Sequence, residues 1–298
     1  MQPLATNPLV SIITVNFNNA AVTMALLKSL RNVKYANTEV IVVDNASKED
    51  PGIIATEYPE VILIRNKENQ GFAGGNNRGI EAAKGDIIFL LNNDTEVDEN
   101  FLQPVVSLFA TDANIGIVSS KLIYFNSDNI IQYAGGEPLN PLTGRGKFIG
   151  TGEKDTGQYN TAHTTSLAHG AAMAIHRRVF DKIGLLPEMY FLYYEELDFS
   201  EHAIKSGFTI WVQPLSVVYH KESMSVGKDS PIKVYYQNRN RLLFISRNST
   251  GFKRIISTIF FVCAALPVAS FRYISKGKWQ YFSLLWKGFF WNIKRSFI

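Results

Sequence analysis

Short apolar runs and amphipathic stretches take turns along the first 125 residues of the chain. Val10-Ser-Ile-Ile-Thr-Val-Asn-Phe is β-branched and almost continuously apolar, the pattern of a strand buried on both faces. Ala20 to Asn32 places Met24, Leu27 and Leu30 on one helical stripe. Glu39 to Asp44 predicts a second strand ending in a carboxylate, then a short helix with Ser47 as its N-cap. Val61 to Arg65 predicts a third strand, Gly74 to Lys84 a loop and helix, and Asp86 to Asn92 a fourth strand. Glu99 to Ala110 predicts a helix and Ile115 to Tyr124 a fifth strand. Such alternation predicts an α/β fold, a doubly wound and mostly parallel central sheet flanked by helices. Ligands bind such sheets beyond the carboxyl ends of the strands, where Asp44 and Asp94 fall.

Beyond residue 125 the periodicity weakens. Asn126 to Thr165 is rich in Gly, Thr and Asn and predicts hairpins or a loop over the site. A strand at Ala171 to Ile175, helices at His176 to Ile183 and Glu195 to Ser206, and short strands at Thr209 to Gln213 and Ser216 to Tyr219 follow. After residue 229 the character changes. From Ser230 to Ile298 there is no Asp or Glu, while 12 Lys or Arg stand among 16 of the 37 aromatic residues. The bland net charge of +4 therefore joins an acidic body to a basic, aromatic tail. Ile255 to Phe271 is uncharged over 17 residues and contains Pro267; a spanning helix needs ~20. A single span would place six basic residues outside, against the positive-inside tendency. The expectation is an interfacial or re-entrant tail on an anionic membrane surface, with a second interfacial helix at Trp279 to Ile293. The long apolar run argues against nucleic acid, and a buried hairpin or homodimer contact is the other use of such a face. Met1 to Asn7 carries no basic leader, so the expected place is the cytoplasmic face of the membrane. The single cysteine, Cys263, excludes an internal disulfide framework and a Cys-based zinc site.

Four segments could carry chemistry. Asn92-Asn93-Asp94-Thr95 follows a buried strand, where a carboxylate can hold a hard divalent cation against a diphosphate, or simply make a turn. The run from Gly71 through Gly74 and Gly75 to Arg78 and Gly79 is not G-x-G-x-x-G and follows the third strand, which speaks against a dinucleotide oxidoreductase. Its glycines could admit a phosphate or sugar to the backbone, with Arg78 pairing to phosphate, or could be a plain helix start. Tyr194-Glu195-Glu196-Leu-Asp198 gathers three carboxylates at a helix N-terminus, which a helix dipole or a general base would each explain. His220 ends a β run and could ligate a metal, although a lone histidine is more often structural. His163, His169, His176 and His202 offer weaker signals.

In their order along the chain these motifs resemble glycosyltransferase family two, a GT-A fold, and most closely its bacterial rhamnosyltransferase-like branch. The resemblance runs from about Val10 to about Gly227. It rests on Ser11 to Asn18, Val43 to Ser47, Asn69 to Asn77, Leu91 to Thr95, Gly170 to Met173, Tyr194 to Asp198, and His220-Lys-Glu-Ser. It implies that Asp44 binds the donor nucleobase, with Asn16, Asn45, Asn69, Gly71, Gly74, Asn77, Asn92 and Asn93 around the donor. Asp94 closes a degenerate DXD motif, with Asn92 in place of the first Asp. Together with His220 it implies a site for Mg²⁺ or Mn²⁺ on the diphosphate. Glu196 stands where the family's base lies, with Glu195 or Asp198 as substitutes, and Gly170, Ala171 and Ala172 line the donor–acceptor junction. The implied reaction is inverting transfer of a single sugar from a nucleotide diphosphate donor, dTDP-rhamnose favoured. The implied acceptor is a glycan or lipid-linked glycan of cell-surface polysaccharide synthesis. The GT-A domain would span 1–229, its nucleotide-binding part ending near 125 and its acceptor part following, and the tail would span 230–298. The chain departs from the family pattern at Gly184-Leu-Leu-Pro187 and at His202. A nucleotidyltransferase and a non-catalytic glycan-binding protein are the alternatives. Asn16-Phe-Asn-Asn19 lacks the Gly and Lys expected of the former.

Overall fold

The computed structural model describes residues 7–221 and 230–295; Glu222 and Ser223 of the last motif lie outside them. In chain order the strands are β1 (Val10–Asn16), β2 (Thr38–Asp44), β3 (Ile62–Arg65), β4 (Ile87–Leu91), β5 (Thr95–Val97), β6 (Ile115–Tyr124), β7 (Ile131–Tyr133), β8 (His163–Thr165), β9 (Ala172–His176) and β10 (Thr209–His220). The body's helices are α1 (Ala20–Leu30), α2 (Gly52–Glu57), α3 (Gly71–Ala82), α4 (Leu102–Phe109), α5 (Arg177–Ile183) and α6 (Glu195–Lys205). The tail contains α7 (Pro231–Asn248), α8 (Gly251–Phe260), α9 (Leu266–Ser275) and α10 (Trp279–Arg295).

All ten strands share one sheet, whose main path is β3-β2-β1-β4-β9-β6-β10-β5. Strands β3, β2, β1 and β4 are parallel, as their apolar runs predict. Past β4 the expectation of a mostly parallel sheet fails. Strand β9 inserts antiparallel between β4 and β6, and β5 pairs antiparallel with β10. The sheet is mixed, and the sequence pattern missed this because apolarity reports burial, not strand direction. The two short strands expected between Thr209 and Tyr219 are one strand, β10, whose register slips between Gln213 and Val217. Pro214 has no N–H to give the ladder there.

Alternate residues of the strands feed two cores. Ile12 and Phe89 pack on the side of Leu26, Leu27, Phe101 and Val105. Ile13 and Val43 pack with Ile80, Val179 and Phe199 on the other. Helix α3 lies close to the sheet: a Cβ on Gly79 would sit 2.4 Å from the Ile13 side chain. Part of the glycine-rich run therefore serves helix–sheet packing rather than phosphate approach.

Helix α7 packs into the body, where its Leu243 and Phe244 share a cluster with Tyr190. Helices α8 and α9 are joined through a π turn (Phe261–Ala265) into one helix, Gly251–Ser275, with Pro267 just after that turn. This 25-residue helix is long and apolar enough to cross a membrane by length and composition, and 22% of its apolar window is buried. Helix α10 folds back on the tail: Leu285 joins Leu242, Phe261 and Leu266 in a small core, and Gly288 brings the backbones of α10 and α7 together. The long helix keeps Phe252 75%, Val268 69% and Phe271 74% exposed.

Candidate active site

The carboxyl ends of β1, β2 and β4, the start of β9 and the end of β10 carry the polar residues that the sequence singles out. The donor side is a buried polar chain. Asn16 Nδ2 donates to Asp44 Oδ1 at 2.7 Å, and Ser47 Oγ donates to the same oxygen at 2.6 Å. The Ser47 N–H donates to Asp44 Oδ2 at 3.0 Å. Three of the carboxylate's roughly four acceptor positions are thus taken, leaving one on Oδ2 for a ligand N–H. Thr23 Oγ1 donates to Asn16 Oδ1, and Asn93 Nδ2 donates to Thr23 Oγ1. Ser47 is not the expected helix cap: α2 starts at Gly52, and the hydroxyl is committed to Asp44. Asn45 and Asn69 shape the turn before α3. Asn45 Nδ2 donates to Asn69 Oδ1 and Gly71 O, while Asn69 Oδ1 accepts the Gly71 N–H.

Two of the residues expected at the donor have their polar groups occupied elsewhere. Asn77 donates to Leu186 O and Glu188 Oε1 and accepts the Leu186 N–H, so its amide fastens the 186–188 segment. Arg78 is exposed and paired with Glu81, its neighbour one helical turn on. Gly74 is buried inside α3.

The register of β10 against β5 sets His220 opposite Thr95 and hence beside Asp94. His220 Nε2 lies 3.1 Å from Asp94 Oδ1, and Nδ1 lies 2.7 Å from Gln132 Oε1; both His220 and Asp94 are buried. The Nδ1 contact to Gln132 orients the ring so that Nε2 and the Asp94 carboxylate converge on one point, where an imidazole and a carboxylate together can ligate a cation. Among the described residues no group of three or more His, Cys, Asp or Glu is placed to hold a metal. The His169 ring packs 6.1 Å from that of His220 and accepts the Ala171 N–H at Nδ1. Burial and the neighbouring His220 push His169 down to about 3, so it stays neutral. The Asn92 N–H donates to Ala171 O, which ties the Asn92–Asp94 turn to the Gly170–Ala172 segment.

The three carboxylates of α6 have different fates. Glu196 lies beside Gly170: a Cβ built there would sit 3.6 Å from the Glu196 Cβ and Cγ. Burial pushes Glu196 up to about 7. Glu195 is buried, its Oε2 has no hydrogen-bond partner, and burial and the adjacent Glu196 hold it well above the usual carboxylate range. Asp198 is fully buried and saturated. It accepts from Tyr190 Oη, from the Arg247 guanidinium and from Asn248 Nδ2. It anchors the end of α7, which removes it from the candidate bases.

The approach to α6 is strained. Phe191, Tyr193 and Tyr194 have φ of 64°, 67° and 81°; such residues cost about 1–3 kcal/mol each and persist only when their surroundings hold them. Helix α7 supplies the hold. Asn240 Nδ2 lies within hydrogen-bond distance of the carbonyls of Tyr190, Leu192 and Tyr193, and Arg239 Nη2 donates to those of Met189 and Tyr190. Sequence reasoning missed Asn240, Gln132 and Thr23. Asn240 sits in a basic stretch that reads as tail, and nothing local reports its partners some 50 residues away.

Three comparisons with known proteins bear on this site. A sequence profile described as Glycosyl transferase family 2 matches residues 11–184. The low-salt glycan biosynthesis hexosyltransferase Agl10 of Haloferax volcanii is 27% identical over 250 residues, which cover 82% of this chain and 77% of that protein. Among solved structures, GalNAc-T7 with UDP, GalNAc and Mn²⁺ superposes with a TM-score of 0.66 at 18% identity, over 80% of this chain and 48% of its own. The mannosyltransferase PcManGT of Pyrobaculum calidifontis, with GDP-Man and Mn²⁺, has a TM-score of 0.60 at 17% identity, over 97% of this chain and 81% of its own. The chain thus spans about half the length of the first of these structures.

Proposed function

The chain belongs to glycosyl transferase family 2, and from that premise we propose that it moves a single sugar, with inversion, from a nucleotide diphosphate donor to an acceptor hydroxyl activated by Glu196. The observation that carries this reading is the proximity of Glu196, poised near neutral pH, to the Gly170 segment that the Asn92–Asp94 turn is tied to.

Asp44 keeps one acceptor position for a nucleobase N–H, and Asn16 and Ser47 hold it in place. Asp94 and His220 fit a divalent cation, since a carboxylate and an imidazole present two convergent acceptors, and the imidazole suits Mn²⁺ better than Mg²⁺. When bound, the cation would neutralise charge on the leaving diphosphate. Glu196 accepts the proton of the acceptor hydroxyl, which it can do only as the anion, and Gly170 leaves room beside it. Burial and the adjacent Glu196 raise the Glu195 carboxyl well above the usual carboxylate range. In this reading the donor is a dTDP-sugar such as rhamnose and the acceptor a glycan or lipid-linked glycan. The basic tail holds the enzyme on the cytoplasmic face of a membrane through the exposed side of Gly251–Ser275.

The test is a calorimetric screen of nucleotide sugars with Mn²⁺ or Mg²⁺. The expected result is donor binding that requires the cation and is lost in Asp94→Asn. Metal-independent binding, equal in that variant, would end the reading.

A further inference from the structure

The chain before β8 meets the tail across a pocket of about 260 Å³. Its lining includes Thr143 and Arg145 on one side, Arg241 of α7, and Phe260, Val268 and Arg272 of the long helix. Three arginines therefore line one small pocket with apolar walls. Arg247 is the only tail arginine in an ion pair among the described residues, and Arg145 has none there either. From Ser230 onward the chain has no carboxylate side chain to offer them. Arg241 is buried and spends its Nε–H on Thr143 O. Burial and the nearby Arg145 both lower its pKa, so the cations oppose one another there. An anion that reached all three would be bound by charge-assisted, bidentate contacts.

Two features say what kind of anion. The long helix that forms one wall also exposes Phe252, Ile255, Ile259 and Phe271, so apolar surface continues along it beyond the pocket. Tyr194, two residues before Glu196, donates its hydroxyl to Gly144 O, next to Arg145. The pocket's loop is thereby joined to the residue that introduces the catalytic helix. We propose that the pocket binds the diphosphate of a lipid-linked acceptor, whose hydrocarbon chain lies along the exposed face of Gly251–Ser275 and whose sugar extends toward Glu196. This rests on the glycosyltransferase reading and narrows its acceptor to a lipid diphosphate held at a stated pocket. A diphosphate matches three guanidiniums in charge, and a lipid uses the apolar wall that a soluble phosphate would leave bare.

Calorimetry on the full chain in detergent, with chelator present to keep diphosphates from the Asp94 site, tests the pocket with defined probes. Farnesyl diphosphate is expected to bind about tenfold or more tightly than farnesol or inorganic pyrophosphate. The Arg145→Ala/Arg272→Ala variant, altered at two exposed positions, is expected to lose about tenfold in affinity for farnesyl diphosphate. Its cation-dependent binding of the nucleotide sugar should match wild type, which also shows that it is folded. Unchanged farnesyl diphosphate binding in the variant overturns the proposal. So does binding of pyrophosphate alone at equal strength, which would mark a soluble-phosphate site, or equal competition by phosphatidylglycerol, which would mark a general lipid surface. Failure of the wild type to bind any nucleotide sugar would instead overturn the glycosyltransferase reading, and the farnesyl diphosphate result would still decide the pocket.

Discussion

Two regions of this molecule bury polar side chains at the same edge of the sheet, and they are built in opposite ways. The donor shelf is made within one layer, across the ends of neighbouring strands. Asp44 is held by Asn16 and Ser47, and the hydrogen-bonded chain continues through Thr23 of α1 to Asn93, at the ends of adjacent parallel strands or in the segments after them. The acceptor wall, 188–198, is held by a helix far along the chain. Asn240, Arg239, Arg247 and Asn248 grip its carbonyls and Asp198 from α7. The shelf spends three hydrogen bonds on Asp44, all from neutral donors, whereas four converge on Asp198, two of them from the Arg247 guanidinium. Two buried carboxylates of similar depth thus serve recognition in one region and architecture in the other. What separates them is the number and charge of the donors around each.

The largest effect that tests this contrast belongs to the base. Glu196→Gln should lower turnover by ~10²–10⁴-fold while donor affinity, read by calorimetry, stays within error of wild type. A parallel loss of donor affinity would mean that the two regions are not separable. Next comes the anchor. Arg247→Ala leaves Asp198 buried with one fewer cationic partner and should cost roughly 2–4 kcal/mol in urea unfolding, less than a fully buried pair because Arg247 is partly exposed. Asn240→Ala should cost about 1–3 kcal/mol and lower kcat more than it raises the donor KM, because it loosens the approach to α6 and leaves the shelf alone.

The smallest effect is the pH response. Glu196 rises from an ordinary 4.5 to about 7 in the folded chain. The folded state therefore holds a proton that the unfolded state has released between those values, and stability from this group is full below 4.5 and lost as pH rises through 7. Turnover runs the other way, rising through about 7 as Glu196 ionises. Glu196→Gln should flatten the fall of Tm with pH across that window, and scanning calorimetry from pH 4 to 8 checks it. An unaltered slope would assign the proton to Glu195 instead.

Much of the donor shelf was legible along the chain. Strands β1 to β4 announce themselves as short apolar runs, Asp44 ends β2 and Asp94 lies in the turn after β4. The glycine-rich run was readable as a helix start, but not its use: Gly79 and Gly75 face Ile13 and Val15 because α3 crosses the sheet closely. Asn77 and Arg78 could not be assigned from the motif, since each takes its partner from a contact that the motif does not contain. The tail read correctly as apolar and basic. Its division into a helix that clamps the body, a long helix with an exposed face and a returning helix depends on Leu242, Leu285 and Gly288 meeting in space.

By itself the sequence determined the parallel half of the sheet, the placement of carboxylates at strand ends and the basic, aromatic character of the last segment. These follow from hydrophobic period and local spacing, which act within a few residues. The tertiary structure alone decided that β9 runs antiparallel, that His220 meets Asp94, that Asp198 is an anchor and that Glu196 is shifted toward neutrality. Each of these depends on desolvation or on a partner brought from 50 or more residues away, and a linear pattern carries no record of either.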